Sequence, residues 1–264
     1  MSQNPVLQAK KIIQEVDKNF VFLTISGAHL YGFESFNSDL DIRGCHFPSL
    51  QESVRYDNSK DTFEIMWKNS NYWDEEVDIV SHSLLKYLHL LTNRPNGYVL
   101  EQIFSPFIIL QKPIFEDLKE LAKLTFSKEL KYHFGGFFKN QTKLLSREIG
   151  KEIKLTLYQT RILCSSIHLA RFGTIDSNLI SANQKIELFD KTKLKELVEL
   201  KKMGEKNNFP NQKLKEYWNK EIQNTIELLD LEFEKSSLPN FDKEKVEKSK
   251  QDFIQKHISI NFKS

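Results

Sequence analysis

The feature that most constrains how this chain can fold is a change of hydrophobic period part-way along it. Up to about residue 112, short stretches alternate apolar and polar residues with the period of two that a half-buried strand requires. From Ile114 onward no strand pattern of any length survives. Lysine-rich segments with leucines at helical spacing take over, at about 114–124, 127–149, 151–172, 190–203, 211–235 and 242–257. The pattern predicts an α+β domain over residues 1–112 and an all-helical domain over residues 113–264, each long enough to bury a core.

Within the first half, residues 5–18 read as a short amphipathic helix, and Phe20–Ile25, β-branched and aromatic, as a buried strand. Ser26-Gly27 then turns the chain into a short helix. Asp39 through Phe47 alternates polar and apolar residues and is closed by Pro48, which predicts a strand carrying Asp39 and Asp41 on one face. The segments 61–67 and 76–80 read as an antiparallel pair, the second bearing Asp78. Ser81 is the expected N-cap of a helix reaching residue 92, followed by a short helix at 97–103 and a strand at 107–110.

Residues two apart on a strand lie roughly 6.5–7 Å apart and point the same way, so Asp39 and Asp41 can aim two carboxylates at one point. Close carboxylates repel unless a cation neutralises them, and hard oxygen donors suit Mg²⁺ or Mn²⁺. A third carboxylate from a neighbouring strand, Asp78 or in its place Glu75 or Glu76, would complete a two-metal site of the kind that clamps an in-line displacement at phosphorus. Backbone N–H groups at Gly27, Ala28 and His29, where strand gives way to helix, can bind phosphate oxygens. These residues together point to metal-assisted nucleotidyl transfer from an NTP. A bare Asp-x-Asp is common on solvated strands, His29 can equally be structural, Tyr31 reads as packing, and Arg43 can serve either a phosphate or an ordinary cross-strand ion pair.

Charge is divided unevenly: residues 1–120 hold 11 basic and 17 acidic side chains, residues 121–264 hold 27 and 19. An acidic half with a carboxylate cluster beside a basic half suits a polyanionic substrate held through metal ions. Lys139, Lys143, Arg147, Lys151 and Lys154 recur every three to four residues, as a nucleic-acid contact or simply a solvated face. Cys45 and Cys164 are the two cysteines, with no CxxC spacing, so neither a disulfide framework nor a zinc site is indicated. No apolar run approaches the length of a signal peptide core or a membrane span, and a soluble, cytoplasmic protein is expected.

Gly27-Ala28-His29-Leu30-Tyr31-Gly32, then Ser38-Asp39-Leu40-Asp41-Ile42-Arg43-Gly44, then Val77-Asp78-Ile79, resembles the DNA polymerase β nucleotidyltransferase superfamily. It is closest to the "predicted nucleotidyltransferase" branch, the RNA-repair polymerase β family, whose common pattern is Gly-Ser-His-Ala-Tyr-Gly followed by Ser-Asp-x-Asp-x-Arg-Gly. Ala28 stands where that pattern has serine. The resemblance implies a mixed sheet with flanking helices and Mg²⁺-dependent transfer of NMP from an NTP such as ATP. Asp39, Asp41 and Asp78 would be the catalytic metal ligands. Ser26, Gly27, Ala28, His29, Ser38 and Arg43 would line the nucleotide, with Lys154 and Arg161 joining from the helical half. The acceptor hydroxyl implied is an RNA end or tRNA, and a partner protein in antitoxin-like relatives. A nucleotide- or RNA-binding module without strong catalysis is the alternative that Ala28 favours.

Overall fold

In the computed structural model the described residues are 4–49, 61–68, 70–204 and 207–257. They form an α+β protein with two compact units, each discontinuous in sequence. One comprises residues 1–29, 39–126 and 241–264; the other comprises 30–38 and 127–240.

The first unit is built on a five-stranded mixed sheet of β1 (Phe20–Ile25), β2 (Leu40–His46), β3 (Thr62–Trp67), β4 (Val77–Ser83) and β5 (Ile108–Gln111). Their order across the sheet is β3-β4-β2-β1-β5. β1 is antiparallel to β2 and β5, β3 is antiparallel to β4, and β2 and β4 run parallel. Leu23, Ile25, Leu40, Ile42, Val77 and Ile79 turn to one face, where Ala9, Ile12 and Ile13 of the Pro5–Gln14 helix cover them. Asn4 starts that helix by accepting from the backbone N–H groups of Val6 and Leu7. On the opposite face Phe22 stacks on Phe115 at 4.4 Å and meets Tyr87 edge-on at 5.4 Å. These rings bring in the helices Leu84–Thr92 and Ile114–Lys123. The Lys243–His257 helix packs on both, burying Val246 and Phe253, and its Lys256 and His257 reach Asp117 at 2.7 and 2.6 Å.

The second unit is helical. Its longest helix, Glu152–Phe172, has 16 of its 21 residues buried and packs against Leu130–Leu145, Leu179–Ile186, Lys191–Lys202, Gln212–Ile226 and Leu228–Lys235. Gly173, at φ 66°, ends it with a left-handed residue. The segment 30–38 belongs to this unit through its side chains: Tyr31 and Phe33 pack on Tyr158 with ring centroids 5.8 and 5.5 Å apart.

Several expectations are corrected. Ser83, not Ser81, caps the Leu84–Thr92 helix, because β4 runs on to Ser83 and Ser81 is buried with its hydroxyl 2.9 Å from His46 Nδ1. The expected 211–235 helix is two, joined at Glu227. The Leu179–Ile186 helix, absent from the sequence reading, is started by Asn178, which accepts from Ser181 N. Ile114–Lys123 and Lys243–His257 pack with the sheet unit, and 30–38 with the helical unit. No helix among the described residues is long and apolar enough to cross a membrane.

Candidate active site

The parallel pairing of β2 with β4 sets Asp41 opposite Asp78 in register. Paired positions of parallel strands turn their side chains to the same face, so two carboxylates share a face of the sheet. Their meeting point is a guanidinium. One Arg43 Nη2 donates to Asp41 Oδ1 and to Asp78 Oδ2, 2.7 Å to each, so those two oxygens can be no farther apart than twice that distance. Arg43 Nη1 donates to the carbonyls of Ile42 (3.0 Å) and Asp78 (2.7 Å), and Nε donates to Tyr98 Oη at 3.2 Å. Burial alone would lower the pKa of this guanidinium, but Asp41, Tyr98 and Asp78 outweigh it and raise it above its ordinary value. The Arg43 side chain is 13% exposed and each carboxylate 27%.

The turn after β1 is shaped around the same acid. Ser26 is buried and its N–H donates to the Asp41 carbonyl at 2.9 Å. Gly27 follows with φ 61°, and a β-carbon there would stand 1.9 Å from Asp41 Oδ2. Only glycine fits both the conformation and the space. The short helix Gly27–Tyr31 begins at this point, so the first N–H groups, those of Gly27, Ala28 and His29, have no intrahelical partner. His29 is half-buried, its ring edge-on to Trp73 at 5.3 Å.

Each of the other sequence-predicted residues has its own surroundings. Asp39 is exposed and precedes β2 by one residue. Glu76 pairs with Lys68 at 4.0 Å, and its carbonyl accepts from Leu40 N at 2.8 Å. Ser38 lies in the other unit and is buried: its Oγ accepts from Ser35 N (2.9 Å), faces Ser35 Oγ (3.1 Å) and accepts from Lys201 Nζ (3.1 Å). Arg161 is completely buried in the helical unit, its guanidinium 4.0 Å from the centre of the Tyr31 ring and 5.4 Å from that of Phe137. Lys154 is half-buried on the same helix. Sequence reasoning missed Tyr98 and Lys201. Nothing local marks Tyr98, but Lys201 continues the apolar stripe of Leu194, Leu197 and Val198, a core position filled by an ammonium.

Among the described residues no three His, Cys, Asp or Glu side chains are gathered as a metal cluster. Asp41 and Asp78 nevertheless turn two hard oxygens to one point, and the cation that occupies it is the Arg43 guanidinium.

Against known proteins, the chain is 24% identical over 210 residues to an uncharacterized protein of Bacillus subtilis (strain 168), YcgL, covering 78% of each. The RNA repair pathway DNA polymerase beta family (RlaP) matches residues 1–254. The strand, the glycine turn folded over Asp41 and the partner acid on a parallel strand thus sit in a chain that belongs to the RNA repair pathway DNA polymerase beta family, a polymerase β-like nucleotidyltransferase family.

Proposed function

We propose that the protein transfers a nucleoside monophosphate from an NTP to a hydroxyl at an RNA end. The observation that carries this reading is the convergence of Asp41 and Asp78 beside the Gly27 turn: two negative oxygens aimed at one cation, with the backbone of a helix start alongside. When bound there, Mg²⁺ would neutralise the triphosphate and polarise the phosphorus under attack. Asp41 and Asp78 would hold it, with exposed Asp39 contributing a further oxygen. The N–H groups of Gly27, Ala28 and His29 would bind phosphate oxygens, which needs no serine hydroxyl at position 28. Until a metal takes that point, Arg43 would hold the two carboxylates together. The family description and the basic second half of the chain support RNA as the acceptor.

The test is label transfer from each α-labelled NTP, with Mg²⁺, to RNA oligonucleotides or tRNA, comparing wild type with Asp41→Asn and Asp78→Asn. Transfer that either variant leaves unchanged overturns the assignment. A second reading, a nucleotide- or RNA-binding module, is favoured by Arg43 occupying the point between the acids. Calorimetry that finds NTP bound without turnover would select it, and label appearing on a co-purifying protein would select a protein acceptor.

A further inference from the structure

Several lysines of the helical unit pair with an acid three or four residues away: Lys151 with Glu148, Lys191 with Glu187, Lys193 with Glu196 and Lys202 with Glu199. The Leu130–Leu145 helix differs, because it contains no Asp or Glu at all. Lys131 finds Asp230 and Glu234 on another helix at 3.5 and 3.9 Å. Lys139, Lys143 and, just past the helix end, Arg147 are exposed and form no ion pair or side-chain hydrogen bond among the described residues. An ordinary solvated face carries mixed signs, and this one carries only positive charge.

The same stripe has two further properties. At about 100° per residue, Tyr132, Gly136, Lys139 and Lys143 fall within an arc of about 60°. Tyr132, at one end of the row, is 70% exposed, with Lys131 Nζ 5.4 Å from the centre of its ring. Gly135 and Gly136 sit in mid-helix, where each costs roughly 0.5–1 kcal/mol relative to alanine, yet a β-carbon at either would meet nothing within 4 Å. Packing within the unit therefore gives no reason for glycine. A glycine face flanked by unneutralised bases lets a backbone of opposite charge come close.

We propose that the stripe Tyr132, Gly136, Lys139, Lys143 and Arg147 is the docking track for a single-stranded RNA segment, a surface that deepens the RNA-acceptor reading and rests on it. The bases would contact successive phosphates, the bare Gly136 face would admit the sugar-phosphate backbone, and Tyr132 would stack on a base. An anionic membrane is the poorer fit, because an interfacial helix needs an apolar face beside its lysines and this row offers one tyrosine.

The experiment is fluorescence anisotropy of a labelled single-stranded RNA oligonucleotide, without NTP, over a series of salt concentrations. The triple variant Lys139→Ser/Lys143→Ser/Arg147→Ser removes side chains with no partner in the unit, so its circular dichroism and melting curve should match wild type. It should bind at least tenfold more weakly, with the log–log salt slope flattened by about 2, since each cation on a single strand contributes about 0.7. Tyr132→Leu should weaken binding several-fold at an unchanged slope. Unchanged affinity and slope in the triple variant overturn the track while leaving the acceptor reading intact. Absence of RNA binding by wild type overturns both. Anionic vesicles retained by wild type and lost by the triple variant, with RNA binding unaffected, would reassign the stripe to a membrane surface.

Discussion

Asp41 and Gly27 are in such close contact that Oδ2 of the acid would stand 1.9 Å from a β-carbon added to the glycine, whose φ of 61° already disfavours one. Gly27→Ala should therefore do two things at once. The left-handed backbone costs alanine about 1–2 kcal/mol, a fall of several degrees in melting temperature for a chain of this length. The displaced Asp41 carboxylate should lower label transfer at least tenfold. Differential scanning fluorimetry and the transfer assay measure the two effects separately; a variant that melts lower but transfers normally would detach the glycine from catalysis.

Arg43→Met leaves Asp41 and Asp78 facing each other without a cation. Removing one partner of a fully buried ion pair costs about 3–5 kcal/mol. Both carboxylates here are 27% exposed, so solvent screening should reduce the loss to about 2 kcal/mol. Because the vacated point suits a divalent cation, Mg²⁺ should stabilise the variant more than wild type. Urea unfolding with and without Mg²⁺ reads this difference, and equal increments would contradict it.

Ser38→Ala tests whether the serine before the Asp-x-Asp acts on nucleotide or on the fold. Its buried hydroxyl is engaged by Ser35 N and by Lys201 Nζ, a lysine only 1% exposed. Leaving those donors short of an acceptor should cost about 1–3 kcal/mol. Urea denaturation should show that loss, with the KM for NTP changing less than twofold. A large rise in KM at unchanged stability would restore the nucleotide role.

His82 supplies a pH dependence. Burial, then the positive charges of Lys86 and Arg43, depress its pKa from 6.5 to about 4, partly opposed by Asp61. In the unfolded chain it takes up its proton near 6.5, so between 6.5 and about 4 the unfolded state binds more protons than the folded one. The stability it confers is complete above 6.5 and is lost as pH falls towards about 4. His82→Gln should flatten the stability profile across that window in urea titrations at stepped pH.

Local pattern carried much of the fold. The run Phe20–Ile25 is read with the bounds the structure gives, since its apolar residues end abruptly at Ser26-Gly27, and the alternation of β2, β3 and β4 is likewise plain. What pattern does not specify is which strand lies beside which. That Asp41 faces Asp78 depends on β2 and β4 pairing in parallel, a non-local contact. Arg43 illustrates the limit: its sequence neighbours allow a phosphate ligand or an ion pair, and only the register decides that it bridges two acids. The Leu179–Ile186 helix escaped notice because its buried surface includes Asn183, whose side chain both donates to and accepts from the Phe189 backbone at 2.9 Å, in place of a leucine. Ser81 and Ser83 compete as caps, and strand pairing with His46 settles it.

The return of the Lys243–His257 helix to the sheet unit has a consequence for biosynthesis. A nascent chain presents Asp41, Arg43 and Asp78 early, yet the helix that covers Ile114–Lys123 and Leu84–Thr92 leaves the ribosome only after the whole of 127–240 has been made. Until then the apolar side chains that Val246 and Phe253 will cover are open to water, and translation of the helical unit must be finished before the sheet unit can close.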